Sequence, residues 1–259
     1  EQMKRQLTPY SVATDNCEIQ LLQYREDNPY AVFLVTESEA ITYSYERNPV
    51  DPRIAHSLNL KTDKYGNVME SASIVYPRVG TEELLQNESS DTPAARKAKE
   101  HGRNEQRKSW ITFTKNDFTN DIISESVYQL RKGWQTRTFE LTGLRPQDAL
   151  FSISDFKDQF DNWEEIGYQE TATGTSAQKR LIERVKTKFY NEELTGPLAD
   201  GVQNTLGITF ENYQLAYTPE LLQDIFTPSP HALPFQVSEA DMRNGKFVMD
   251  DAAWWIRSG

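Results

Sequence analysis

Apolar residues recur at every second position through much of residues 41–76 of this chain. Ile41, Tyr43 and Tyr45 share one side of a first run, and Ile54, Leu58 and Leu60 one side of a second. Val68, Ala72, Ile74 and Tyr76 share one side of a third. A period of two, in segments rich in β-branched and aromatic residues, predicts strands with one buried face. Between the last two runs lies Asp63-Lys64-Tyr65-Gly66-Asn67, where Gly66 can adopt the positive φ of a tight hairpin turn. Asn48-Pro49 and Asp51-Pro52 break the chain ahead of the second run, because proline has no N–H to give to a ladder. Upstream, Cys17–Tyr24 and Tyr30–Thr36 are predicted strands that turn at Asp27-Asn28-Pro29. Glu37-Ser38-Glu39 is expected to turn the chain again, into the strand from Ile41. Residues 16–77 thus read as an antiparallel meander, which needs a second layer over its apolar face.

The pattern changes after Arg78. Residues 82–107 are polar and charged, and from Pro93 onward Ala94, Ala95, Lys97, Ala98 and Lys99 favour a helix with proline in its first turn. No apolar face marks that helix, so it is expected to be solvated. Alternation resumes at Trp110–Thr114 and again at Thr136–Leu141, which ends in the turn Gly143-Leu144-Arg145-Pro146. Phe156, Phe160 and Trp163 recur at helical spacing and predict a helix over Asp155–Trp163, capped by Ser154. Gly167–Ser176 is a threonine and glycine loop. In Arg180–Tyr190, Leu181, Val185 and Phe189 fit a helix face, while strand alternation fits less well. Pro219–Phe226 and Ser238–Arg243 are predicted short helices, the second with acidic residues in its first turn. The expected organisation is a hairpin meander over 1–78, a polar linker or insertion over 79–108, and a second β-rich part with short helices over 109–259.

Composition narrows the function classes. A net charge of −11 argues against a duplex nucleic-acid partner, which needs a basic surface, and against adhesion to an anionic membrane. No apolar run approaches the roughly 20 residues of a membrane-spanning helix. The single cysteine, Cys17, excludes an internal disulfide and a cysteine-based zinc site. Its place in the alternating run Cys17, Ile19, Leu21 predicts a buried strand residue rather than a nucleophile. The chain starts at Glu1 and begins and ends within patterned segments, as expected of an excerpt of something larger.

Candidate chemistry is sparse. His56, His101 and His231 fall in a strand, a charged segment and a proline-rich loop, without metal-ligand spacing. His56 is expected to pack beside a strand neighbour with its ring nitrogens hydrogen-bonded. On the predicted helix Asp155, Asp158 and Asp161, followed by Glu164 and Glu165, would form a carboxylate face. Paired carboxylates serve glycosidases as acid and base, but Phe156, Phe160 and Trp163 lie on the other side, so a solvated face is the expectation. Gly196 and Gly201 are spaced as in a phosphate-binding loop, yet Val202 and Gln203 stand where lysine and a hydroxyl residue are required. Asn87-Glu88-Ser89 has the form of a glycosylation acceptor. Trp254-Trp255-Ile256, Trp134, and Tyr43 with Tyr45 are assigned to core packing ahead of carbohydrate stacking.

Several strings carry a family resemblance. The strand, Tyr65-Gly66-Asn67 turn and strand resemble a YD or rearrangement-hot-spot (RHS) repeat. Ala31-Val32-Phe33, Tyr45-Glu46-Arg47-Asn48-Pro49 and Asp51-Pro52-Arg53-Ile54-Ala55-His56-Ser57-Leu58 sharpen it, as do Gln178-Lys179-Arg180-Leu181-Ile182-Glu183, Tyr213-Gln214-Leu215-Ala216-Tyr217-Thr218-Pro219 and Trp254-Trp255-Ile256-Arg257-Ser258-Gly259. Together they resemble the middle-to-C-terminal region of the B component of bacterial insecticidal toxin complexes, which is related to Salmonella plasmid virulence protein B. The resemblance implies a mainly β fold: antiparallel hairpins of an RHS-like β-sheet shell with a few short helices. It tips Arg180–Tyr190 towards strand. In that family the B and C components form a hollow shell holding the toxic part of C until delivery through the pore of the A component. It implies a secreted, non-catalytic shell segment with C and A as protein partners, no catalytic, cofactor-binding or metal site, and no membrane insertion of its own. The family's β-propeller, which docks on A, is not recognisable in this sequence, and Asp51-Pro52-Arg53-Ile54 only begins like the self-cleaving aspartate words of C.

The rival reading is an enzyme. Glu37-Ser38-Glu39 has the Glu-x-Glu form of arginine-specific ADP-ribosyltransferases, a domain the Salmonella relative carries. That motif follows a Ser-Thr-Ser strand, whereas the nearest match here, Thr173-Gly174-Thr175-Ser176, comes after it. Glu37 and Glu39 are therefore expected at a polar hairpin tip.

Overall fold

A computed structural model describes residues 9–46, 48–80, 87–226 and 237–258. Contacts divide the chain into two compact units, Glu1–Thr112 with Arg145–Gln159, and Phe113–Leu144 with Phe160–Gly259. As expected, the fold is mainly antiparallel β-sheet with a few short helices.

The first unit is built on the meander β1 (Ser11–Gln23), β2 (Val32–Ser44), β3 (Arg53–Thr62) and β4 (Val68–Val75), each hydrogen-bonded to the next in antiparallel register. Even-numbered residues of β3 and β4 form the inner face. His56, Leu58, Leu60, Ala72, Ile74 and, just beyond β4, Tyr76 are all buried. This is the face that the period-two alternation marked. Its second layer comes from residues 145–159, which send in Phe151 and Phe156. Phe151 lies 6.1 Å from the Tyr76 ring and 5.2 Å from Phe156. Burying a large apolar side chain stabilises by roughly 1.5–3 kcal/mol, so this short segment contributes far beyond its length.

The Gly66 turn closes the β3–β4 hairpin as expected. Gly66 has φ +83, and its N–H donates to the Asp63 carbonyl at 3.0 Å. The Asp63 carboxylate accepts from the amides of Tyr65 and Asn67, at 2.9 and 3.0 Å. Asp51 is buried behind the preceding proline break, where it accepts from Arg78 Nε at 2.8 Å and from the Val79 amide at 3.0 Å. Burial works to raise the Asp51 pKa, but the Arg78 hydrogen bond and the amides of Gly80 and Val79 outweigh it and hold the carboxyl below its ordinary value. Helix α1 (Pro93–Gln106) has Thr92 as its N-cap, Pro93 in its first turn and no buried residue. It is the solvated helix expected.

Three expectations need correction. Glu37-Ser38-Glu39 is no turn, because β2 runs unbroken through it. Glu37 pairs with Cys17 and Glu39 with Asn16, so Ser38 is the extra residue of a β-bulge. A bulge and a turn favour the same short polar residues, and only the partner strand tells them apart. Cys17 is exposed. Every residue of β1 is exposed, so its alternating side chains lie uncovered on both sides. The expected helix over Asp155–Trp163 is instead α2 (Ile153–Phe156) followed by a 3-10 turn, Phe160–Asn162. Ser152, not Ser154, is its N-cap, in a capping box with Asp155. Lys157 leaves helical angles and Asp158 sits at φ +58, which ends the helix after one turn.

In the second unit β5 (Trp110–Phe118, from Phe113 on), β8 (Gly133–Thr142), β10 (Gln178–Phe189), β11 (Thr209–Tyr217), β13 (Ala253–Arg257) and β12 (Val248–Asp250) follow in that spatial order. The short β9 (Glu164–Ile166) runs parallel to β10, and β6 (Ile122–Ile123) pairs with β7 (Tyr128–Gln129). Arg180–Tyr190 is therefore strand, as the resemblance indicated. Helices α3 (Pro219–Phe226) and α4 (Glu239–Asn244) stand where expected, and Ser238 caps the second. Phe113, Phe139, Phe160 and Trp163 form one aromatic core, with the Phe160 ring 4.9 Å from Phe139 and 5.1 Å from Phe113. Tyr213, Leu215, Ala253 and Trp255 form another.

Two glycine substitutions test the backbone. Gly66→Val meets only ordinary contacts at the new Cβ, so its cost is that of a β-branched residue at positive φ. Urea unfolding should show a loss of about 1 kcal/mol or more. Gly143→Ala should cost more, because at φ +73 the added carbon collides with the Ser176 carbonyl. Equal stability of Gly66→Val and wild type would mean that the turn does not need glycine.

Candidate functional site

The residues with candidate chemistry are dispersed in the structure. Glu37 is exposed on β2, while Glu39 accepts from Asn16 Nδ2 at 2.6 Å and pairs with His56 Nε2 at 2.9 Å. Both carboxylates thus sit on a strand, and Glu39 is engaged within the unit. His56 is buried with both ring nitrogens in hydrogen bonds, as expected. His101 is exposed on α1, and His231 lies outside the described residues. Asp155 caps α2, Asp158 lies in the following turn, Asp161 in the 3-10 turn, and Glu164 and Glu165 on β9. The predicted one-sided carboxylate face does not form, because no single helix carries these residues. Among the described residues no group of three or more His, Cys, Asp or Glu is placed to hold a metal ion.

The glycine-spaced loop is likewise structural. Gln203, where a phosphate loop needs its hydroxyl residue, is buried and ties three segments together. Its side chain donates to the carbonyls of Asn120 and Leu130, both at 2.9 Å, and its oxygen accepts from Gln129 at 3.2 Å. Trp254 and Trp255 are buried, which bears out core packing for that pair. Tyr43 and Tyr45 stack with ring centroids 6.2 Å apart.

The densest cluster of charge was not anticipated. Arg184, Lys186 and Lys188 occupy alternate positions of β10, so all three project from one face. The Lys186 side chain has no solvent exposure. Its ammonium lies 2.6 Å from Asp250 Oδ2, 3.2 Å from Asp200 Oδ2 and 4.3 Å from the centroid of the Trp255 ring. Lys188 contacts the same two carboxylates, at 3.1 and 2.8 Å. Arg184 lies over Trp255, pairs with Asp251 at 2.8 Å, and donates to Gln135, which donates in turn to Asp117. The Trp255 indole N–H donates to the Asp250 carbonyl at 2.7 Å. This network fastens the β12–β13 hairpin to the sheet. The hairpin needs fastening, because Asp251 and Ala252 in its turn both have positive φ without being glycine. The one sequence signal was three cations at period two.

Electrostatics favour the charged forms of Asp250 and Lys188. Burial works to raise the Asp250 pKa, but hydrogen bonds from Lys186 and Lys188, together with their charges, bring it down to about 2. Burial opposes the charge of Lys188 as well, and its hydrogen bonds to Asp250 and Asp200 raise its pKa in spite of that. With Asp250 held ionised and Lys188 held protonated, this pair is poorly placed for acid–base work near neutral pH and suited to holding structure.

The family model for the insecticide toxin TcdB middle/C-terminal region matches residues 1–131, half of the chain. The chain belongs to this family. Among curated proteins none matches it. Solved structures agree in fold with this TcdB-family chain. The crystal structure of TcdB2–TccC3 superposes over 98% of it with a TM-score of 0.70 at 14% identity, covering 12% of that chain. The same complex without its hypervariable C-terminal region gives 0.69 at 15% identity, over 98% of this chain and 11% of that one. The Photorhabdus luminescens Tc holotoxin pore, carrying a TccC3 mutation, gives 0.70 at 16% identity, again over 98% and 11%. At these identities the likeness is one of fold, and the chain spans about a ninth to an eighth of the solved chains' length.

The Lys186 network generates a stability prediction. Lys186→Met should lower the unfolding free energy by about 2 kcal/mol. That is below the roughly 3–5 of a fully buried pair, since Lys188 remains and Asp200 and Asp250 are about one-third exposed. Asp250 has a depressed pKa, so its contribution is fully present above the ordinary aspartate pKa and is lost as pH falls from about 4 towards 2. In Asp250→Asn that acid-linked loss should be smaller by on the order of 1–2 kcal/mol. Unfolding curves between pH 6 and pH 2 measure both.

Proposed function

We propose that this chain forms part of the wall of a toxin-complex shell, assembled from B and C components around a cytotoxic cargo and acting outside the producing bacterium. Its work is structural: closing a compartment by strand pairing, with delivery through an A-component pore. The observation that carries this reading is the β1 edge. β1 is 13 residues long, pairs on one side with β2, and is exposed along its whole length. Its cross-strand pairs Ile19–Val35 and Leu21–Phe33 present four large apolar side chains, from 36% to 62% exposed. A long apolar edge strand is a template for pairing with further chain, and a two-stranded ribbon with a bare apolar face is marginal on its own. Both features suit a piece of a larger sheet. The TcdB2–TccC3 fold match supports the same reading, as does the engagement of Glu39 within the first unit, which leaves it no free carboxylate for an ADP-ribosyltransferase role.

The test separates folding from assembly. Ile19→Lys with Val35→Glu places an opposite-charge pair at exposed, directly facing positions, so the stability of the chain should change by less than about 0.5–1 kcal/mol. In the complete B component the same pair should prevent a closed complex with C and expose the C cargo to added protease. A closed, protective complex carrying both substitutions would refute the wall reading. Incubated with NAD, the chain should consume none, and measurable consumption lost in Glu37→Gln/Glu39→Gln would establish the enzyme instead.

A further inference from the structure

The first unit contains a hydrogen-bond chain centred on a buried histidine. The His56 side chain is 0% exposed, with Nε2 2.9 Å from Glu39 Oε1 and Nδ1 2.9 Å from Tyr76 Oη. The Phe151 amide donates to the same Tyr76 oxygen at 2.8 Å. Through Asn16 on β1 and Glu39 on β2, the chain runs to His56 on β3, Tyr76 after β4, and the 145–159 segment.

The available protons determine its polarity. The Phe151 N–H can only donate, so Tyr76 Oη accepts there and turns its own O–H to His56 Nδ1. Nδ1 therefore accepts, while Nε2 carries the ring proton and donates to Glu39. Every proton then has an acceptor. A second proton on the ring disturbs this arrangement. Nδ1–H and the Phe151 N–H then both face the Tyr76 oxygen, and the Tyr76 O–H is left buried without an acceptor. Tyr76 gains no relief by ionising, since burial, opposed only by the Phe151 amide and reinforced by Tyr43, Glu39 and Asp155, pushes its pKa up to about 12.

The titratable groups around the pair are Glu39 and Tyr43 from β2, Tyr76 itself, and Asp155 from α2. The Glu39 carboxylate attracts an imidazolium through Nε2, while Tyr76 opposes it through Nδ1. The conflict ends if water reaches the Tyr76 hydroxyl, which requires Phe151 to lift away. We propose that the His56–Tyr76 pair is a proton-sensitive clasp, and that protonating His56 releases residues 145–159 from the sheet of their own unit. A proton added to His56 therefore favours the open clasp, and pH is the variable that tests it. The released segment carries Phe151 and Phe156, so opening uncovers the inner face of β3 and β4.

Hydrogen–deuterium exchange of peptides covering residues 149–156, in the full chain and corrected for intrinsic rates, reads the clasp directly. Exchange should rise about five-fold or more from pH 7.5 to pH 5.5, consistent with stranding a buried donor, and the rise should be confined to 145–159 and the face it covers. His56→Gln keeps an acceptor for Tyr76 and a donor for Glu39 without titrating, so its exchange should match wild type at pH 7.5 and not rise at pH 5.5. Tyr76→Phe removes the hydroxyl but keeps the ring, and should exchange fast at both pH values. If His56→Gln fails to fold, Tyr76→Phe decides, and a pH-dependent rise persisting in it overturns the proposal. Unchanged wild-type exchange, a rise surviving in His56→Gln, or a uniform rise along the chain overturns it as well.

Discussion

Main-chain pairing on both sides of the inner strands is the constraint on which the rest of this structure depends. A buried N–H or C=O without a partner costs on the order of 1–3 kcal/mol. Interior strands therefore need a partner at each edge, and their side chains are buried where a further layer covers the face. β3 pairs with β2 and β4, residues 145–159 cover its inner face, and its His56, Leu58 and Leu60 are buried. Among the described residues β1 is paired along one edge, and every one of its residues is exposed. Side chains of similar character, Leu21 and Leu58 for example, therefore end in opposite environments.

The covering layers are small and specific. In the first unit a fifteen-residue excursion, Arg145–Gln159, supplies Phe151 and Phe156 over the inner face. It is held by aromatic contact and by one backbone amide on the Tyr76 hydroxyl. Because Tyr76 also bonds His56, packing and hydrogen bonding at this point share a single side chain. The second unit fills its interior partly with charge. Lys186 would be costly to bury alone, and two carboxylates with the face of Trp255 offset that cost. The same contacts hold a hairpin whose turn has two non-glycine residues at positive φ.

Much of this was legible from the chain itself. Alternation at 54, 58 and 60 and at 72, 74 and 76 marked the inner face of β3 and β4, and Tyr65-Gly66-Asn67 marked their turn. Pro93 began a helix whose lack of an apolar stripe matched its lack of buried residues. The strings around Asn48–Leu58 pointed to the family. The hydrogen-bonded state of His56 was also expected, though its partners, Glu39 and Tyr76, are 17 and 20 residues away.

Local sequence determined the period of each strand, the turn chemistry and the helix starts, because these depend on φ, ψ and side-chain preferences within a few residues. Tertiary structure decided what lay against each face. Cys17, Ile19 and Leu21 alternate like core residues, but among the described residues no layer covers β1. Glu37-Ser38-Glu39 is polar like a turn, yet opposite Cys17 and Asn16 it becomes a bulge inside a continuous strand. Phe156, Phe160 and Trp163 have helical spacing, but Phe156 belongs to the first unit and Phe160 and Trp163 to the second. Lys186 looks like a solvated strand residue until Asp200, Asp250 and Trp255 arrive from segments up to 69 residues further along the chain. Period is a property of one strand, whereas burial and bonding belong to the neighbours that the fold brings to it.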